Sequence, residues 1–274
     1  MSNENSTRQI IQHYAEADEF ARLRTGWFQL EQARTQELIL RHLPPPPATI
    51  IDAGGGAGAY ACWLAARGYQ VHLIDPVAKH VEQARAVSSQ RPGHPLASAE
   101  IGDARDLPQE DATADAVLLL GPLYHLVEKH GRLACLREAY RVLREGGLVW
   151  GAAISHFASF LDSLAHGFFD DPVFASILAR DLEEGQHRNP TGNLLYFTDA
   201  FFHRPEELAG EFLNAGFEVL ELLAIEGPGW LAHDFERLWN DPQQRERLLA
   251  AVRKVESEPC LLGASSHIMT IARK

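Results

Sequence analysis

Two carboxylates, Asp52 and Asp75, bracket a glycine run in the stretch TIIDAGGGAGAYACWLAARGYQVHLIDP, residues 49–76. An acid at a strand tip about twenty residues past such a run is placed to accept both hydroxyls of a ribose. Gly54, Gly55, Gly56 and Gly58 let the backbone turn tightly and admit a ligand without Cβ clashes, and the turn opens onto a helix N-terminus. Asp52 ends the first apolar run, Ile50-Ile51, just before the turn. A carboxylate there repels a pyrophosphate and suits a ligand carrying positive charge. The elements that must position these groups are a β-loop-α-β unit: the first strand, a helical pattern stopping at Gly68, and a second strand, Val71-His72-Leu73-Ile74, ending at Asp75. Gly54-x-Gly56-x-x-Ala59 also satisfies the loose dinucleotide fingerprint, so an NAD(P)-dependent oxidoreductase is the competing reading.

The run DAGGGAG resembles motif I of the class I S-adenosylmethionine-dependent methyltransferases, an acidic residue followed by G-x-G-x-G, with Asp52, Gly54, Gly56 and Gly58 matching position for position. The positive charge is then the ammonium and sulfonium of the cofactor. GDARDLP looks like the adenine-contacting segment of that class: Asp103 accepts from the exocyclic amine, the Ala104 amide donates to a ring nitrogen, and Arg105 stands beside them. LLLGPLYHL resembles the segment under the methionine part of the cofactor and beside the transferred methyl, which assigns Leu120, Gly121, Tyr124 and His125 to the site, as Pro76 is assigned beside Asp75. Tyr14, in IIQHYAEADEF, resembles a lid tyrosine on leading helices that fold over the cofactor; its other reading is an aromatic on a packed face. The resemblance covers roughly residues 45–155.

It implies an α/β fold: a doubly wound, seven-stranded, mostly parallel, Rossmann-like sheet with a reversed last strand inserted between strands five and six. The expected division is a helical cap over residues 1–43, a cofactor-binding core over 44–154, a helical insertion over 155–204, and the C-terminal part of the sheet over 205–274. DAVLLL, residues 115–120, is a continuous apolar run suited to a central parallel strand covered on both faces. Pro44 to Pro47 end the second leading helix. In the insertion, Phe157, Phe160, Leu161, Leu164 and Phe168 suggest one amphipathic helix and residues 173–182 a second. A helical insertion at this edge of an α/β sheet reads as a substrate lid, the other reading being an arm that forms a homodimer. Pro205 at a first helical position with two acids behind it starts the next helix, on which Leu208, Phe212 and Leu213 face inward. A charged helix over 234–256 and a last strand over 267–272 close the chain.

The chemistry implied by the resemblance is in-line methyl transfer to a small molecule, releasing S-adenosylhomocysteine. The methyl is already activated, so the chain's task is to align the reactants and exclude water. His125 and His156 are the candidate bases, since both follow strand ends at the ligand edge and histidine titrates near neutrality. Tyr124, His156, His203 and Trp230 are the candidate substrate contacts. His80, on a helix surface, reads as solvated. No Tyr-x-x-x-Lys pair supports an oxidoreductase, and a third reading is a regulatory protein that binds S-adenosylmethionine without turnover.

Among 274 residues the net charge is −12, which argues against a nucleic acid partner, as does the absence of an N/D-P-P-Y-type motif. No apolar run approaches a membrane span and the N-terminus is polar, so the chain reads as cytoplasmic. Cys62, Cys135 and Cys260 are scattered and the histidines of the insertion are dispersed, so no metal site is expected.

Overall fold

The computed structural model describes residues 22–274. Tyr14 and most of the first leading helix lie outside the described residues. The second is α1, Phe28–His42, which ends where the proline run begins. The core then alternates: β1 Thr49–Ala53, α2 Ala59–Ala65, β2 Gln70–Asp75, α3 Ala78–Ser89, β3 Ser98–Ile101, β4 Ala114–Leu119, a single turn α4 Pro122–His125, α5 Lys129–Val142 and β5 Leu143–Ser155. The insertion supplies α6 Ala158–His166, α7 Pro172–Glu184, β6 Gln186–His187 and β7 Ala200–His203. The chain closes with α8 Pro205–Asn214, β8 Glu218–Ala224, α9 Phe235–Asn240, α10 Pro242–Val255 and β9 His267–Arg273.

β3, β2, β1, β4 and β5 lie side by side and parallel. β9 runs antiparallel along β5 from Leu148–Arg273 to Ile154–His267, and β8 pairs antiparallel with β9 on its far side. The reversed last strand is therefore inserted as the resemblance implied. Ile50 and Ile51 show how one strand serves both layers, because successive side chains point to opposite faces. Ile50 packs with Leu73, Leu118, Trp150 and Ile271 under α1 to α3, whereas Ile51 packs with Val117, Val149, Leu208 and Phe212 under α5 and α8. The Trp150 indole donates to the Leu38 carbonyl at 3.1 Å, which ties α1 to the sheet.

The sheet holds nine strands, two more than the seven of the core, because β5 outruns β4. β4 is paired up to Leu119–Gly151, and β7 takes the free edge beyond it through Ile154–Phe202 and Ser155–His203. β6 then adds antiparallel to β7. The insertion is thus helical with a short sheet extension, rather than helical throughout. Two further expectations need correction. Leu213 is 60% exposed, because α8 turns only Leu208, Phe212 and the polar Glu211 inward. The charged C-terminal helix is two helices, broken at Asp241-Pro242, where the Asp241 carboxylate caps the second by accepting from the Gln243 and Gln244 amides.

Candidate active site

Gly54, Gly56 and Gly58 have φ of +75°, +56° and +84°, which other residues adopt only with strain. The turn is pinned to the end of β2, with the Gly54 amide donating to the Ile74 carbonyl at 2.7 Å. A Cβ on Gly54 would stand 2.6 Å from Pro122 Cγ, so the glycine turn and the turn after β4 pack directly on each other. Gly121 belongs to the same contact, its position for a Cβ lying 3.4 Å from the Gly54 carbonyl oxygen.

Asp75 is buried at the tip of β2, where its carboxylate accepts from the Gly56 amide at 2.8 Å and the Val77 amide at 2.9 Å. His80 Nδ1 lies 3.2 Å from the same group. His80 is therefore not solvated: α3 begins so close behind β2 that its first turn faces the site, and the ring is buried. Asp52 is 1% exposed, and neither of its oxygens has a hydrogen-bond partner of good geometry among the described residues. Burial, then the charge of Asp75, push its carboxyl up to about 7, against a smaller opposing pull from the Ala61 amide. An orphaned buried carboxylate is costly and asks for a cation.

These groups line a cleft of about 1380 Å³, mouth included, at the carboxyl edge of the sheet. Gly54, Gly55, Gly56, Asp75, Pro76, Asp103, Ala104, Arg105, Leu120, Gly121, Tyr124 and His125 border it, together with Asp52. Gly58 does not border it; it packs against Ala84, where a Cβ would come within 3.0 Å. Asp103 is held by Arg105, whose amide and Nε donate to Oδ1, both at 2.9 Å. Burial raises the Asp103 carboxyl, but the Arg105 bonds outweigh it and keep it below the usual range.

The set fits S-adenosylmethionine. Asp52 offers an unpartnered anion to a cationic ligand, Asp75 is a second carboxylate at the tip of β2, and Val77, Ala104 and Leu126 add apolar wall to the same cleft. A pyrophosphate in the same cleft would face Asp52. Residues 50–147 match the family model described as a methyltransferase domain. The chain carries a class I S-adenosylmethionine-dependent methyltransferase domain. This methyltransferase is 27% identical over 233 residues to a ubiquinone biosynthesis O-methyltransferase of Xanthomonas axonopodis pv. citri, spanning 80% of this chain and 86% of the relative. It is 29% identical over 198 residues to a ubiquinone/menaquinone biosynthesis C-methyltransferase of Caulobacter sp., spanning 67% and 73%. Solved structures share the fold. They include a methyltransferase from Methanosarcina mazei (18% identity, 86% of this chain and 96% of that one, TM-score 0.57). Another is the [4+2]-cyclase SpnF (21% identity, 94% and 85%, TM-score 0.58), so the fold alone does not dictate the reaction.

A second cavity, of about 1140 Å³ with its mouth, adjoins the first. Arg22, Tyr124 and His267 line both. The methyltransferase builds this cavity from the insertion and the start of α1: Trp27, Phe28, Phe168, Phe174, Tyr196, Phe197 and Phe202 are in its wall. Phe168 and Phe174 meet edge to face at 4.7 Å, and His187 stacks on Phe202 at 4.9 Å while bonded to the buried Asp181.

Several expected site residues lie elsewhere. His156 borders neither cavity: its Nε2 lies 3.0 Å from the Leu182 carbonyl and 3.1 Å from Arg204, because β7 occupies the sheet edge it was expected to overlook. His203 is fully buried beside Glu211 at 3.5 Å, and Trp230 is buried with its indole donating to the Ala264 carbonyl. His125 does border the cofactor cleft, its ring 4.5 Å from Tyr124 and 5.9 Å from Phe197. Sequence reasoning missed Glu31, Thr35, Tyr60, Ile225 and His267, all of which line the cleft. Glu31, Glu226 and His267 bring three potential ligand atoms within 4.8 Å of one another. The carboxylates of that cluster accept from Arg22, Ser265 and His267.

Proposed function

We propose that this methyltransferase transfers the methyl group to a small hydroxylated aromatic molecule held in the second cavity. The observation that carries the reading is the aromatic wall of that cavity and its junction with the cofactor cleft at Tyr124 and His267. Aromatic walls select a flat apolar ring by offset and edge-to-face contacts. Asp162 and His166 in the same wall are polar groups that orient substituents on it. A net charge of −12 disfavours a polyanionic acceptor such as nucleic acid. Relatives named for ubiquinone biosynthesis, one an O-methyltransferase, lend weight to a ring acceptor.

Bound in the cleft, S-adenosylmethionine supplies an activated methyl group. Asp52 and Asp75 hold its polar parts, and Tyr124 and His267 flank the junction at which the methyl group and the acceptor meet. The test is transfer of isotope-labelled methyl from S-adenosylmethionine to a panel of phenols and catechols, with arylamines, thiols and a lysine-rich peptide alongside. Label on a ring oxygen is the expected result. Label on amines, thiols or peptide alone, or none anywhere, would reject the reading.

A further inference from the structure

His267 lines both cavities where they meet, and Glu226 is paired with it from behind. Glu226 is fully buried just after β8, and His267 opens β9. His267 Nδ1 lies 2.7 Å from Glu226 Oε1, while Oε2 accepts from the Ser265 hydroxyl at 2.8 Å and the His267 amide at 2.9 Å. Three donors converge on one carboxylate, which holds it ionised despite burial. An ionised acceptor at Nδ1 assigns the proton to that nitrogen and leaves Nε2 as the lone-pair nitrogen. The His267 side chain keeps 12% of its surface exposed and lines both cavities.

We infer that His267, oriented by Glu226, is the general base for methyl transfer; this rests on the reading that the aromatic cavity takes a hydroxylated acceptor. The acceptor O–H bond breaks, and its proton goes to His267 Nε2. The oxygen pair forms the new bond to the methyl carbon, and the pair of the broken methyl–sulfur bond stays on the sulfur of the product, S-adenosylhomocysteine. The imidazolium is stabilised by Glu226, which stays a carboxylate, and later returns the proton to solvent. Besides Glu226, the charged and titratable groups about the ring are Glu31, Arg22 and Tyr124; Glu31 is itself paired with Arg22 at 2.8 Å, and the Tyr124 ring is 6.4 Å away. The neighbouring Trp27 ring, 6.4 Å off, closes the apolar side.

The test compares wild type, His267→Gln and Glu226→Gln on phenols of graded acidity, from unsubstituted phenol to 4-nitrophenol, with S-adenosylhomocysteine affinity measured by calorimetry. Histidine nitrogen shifts are recorded by NMR on the full chain without acceptor. Loss of a base costs about 10²–10⁴ in kcat on the least acidic phenol and far less on 4-nitrophenol, about half of which is already ionised at neutral pH. Affinity for S-adenosylhomocysteine should change less than about threefold, about 0.7 kcal/mol, far short of the loss in kcat. The NMR spectrum should show an Nδ1-protonated ring whose tautomer is lost in Glu226→Gln. Full kcat in His267→Gln, or an equal loss on every phenol together with lost cofactor affinity, would overturn the inference. If the wild type turns over no phenol, the acceptor reading fails. The spectrum still decides the pair's geometry, since an Nε2-protonated ring would exclude the base by itself.

Discussion

The carboxylate of Asp75 accepts the Gly56 amide at 2.8 Å, so the acid proposed to receive ribose also fixes the shape of the glycine turn. Asp75→Ala therefore removes a ligand acceptor and loosens the turn together. Its affinity for S-adenosylhomocysteine should fall about tenfold to a hundredfold, the scale of hydrogen bonds to a charged group. Asp75→Asn, which keeps one acceptor oxygen, should lose less. Calorimetric titration of both variants checks the order.

Asp52 makes cofactor binding depend on pH. Its carboxyl titrates at about 7, raised by burial and by the charge of Asp75. A cationic ligand needs the ionised form, so affinity should strengthen as pH rises through that value, with a proton released on binding below it. Linkage acts the other way on the ligand-free fold. A raised carboxyl binds more protons folded than unfolded, so its contribution to stability is lost as pH climbs from the ordinary carboxylate value to about 7. Titrations in buffers of different ionisation enthalpy would register the proton, and Asp52→Asn should abolish its release.

Gly54→Ala should damage the site without touching the ligand. The new Cβ would meet Pro122 Cγ at 2.6 Å on a backbone at φ +75°. Overpacking of this kind costs about 1–3 kcal/mol. A lower denaturation midpoint with weaker S-adenosylhomocysteine binding is the expected pair of results.

Arg132 and Glu211, both buried, join α5 to α8. Arg132 also donates to the Leu126 carbonyl at 3.0 Å and the Val127 carbonyl at 2.6 Å, bracing the segment behind Tyr124 and His125. Burial opposes ionisation of Glu211, but its bonds to His203 and Arg132 outweigh it and bring the carboxyl down to about 2. Its stabilisation is then present above the ordinary glutamate value and lost as pH falls toward 2. Arg132→Met should cost about 3–5 kcal/mol, since it takes from the buried Glu211 charge its bidentate partner and leaves only His203 at 3.5 Å, and Arg132→Met with Glu211→Leu should cost less. Urea titrations of the single and double variants measure both.

The cofactor half of the site was legible because its demands are local. Asp52, the glycines and Asp75 lie within one β-loop-α-β unit, where strand ends and turns are written in adjacent residues. The junction was not legible. Glu226 and His267 are 41 positions apart and meet only because β9 inserts between β5 and β8. His156 does follow the end of β5, as its position implied, whereas His203 ends β7, a strand the sequence reading did not expect; β5 running past β4 gave that edge to β7, and both histidines are buried. A periodicity places a residue on a strand or helix; it does not say which neighbour will cover the end.

The central claim, that Asp52 and Asp75 frame an S-adenosylmethionine cleft, is met most directly by calorimetric titration of the full chain with S-adenosylhomocysteine and, separately, NADH. The account predicts binding of one S-adenosylhomocysteine per chain, weakened in Asp52→Asn and in Asp75→Ala, and no binding of NADH. Binding of NADH without S-adenosylhomocysteine, or S-adenosylhomocysteine affinity indifferent to both substitutions, would contradict it.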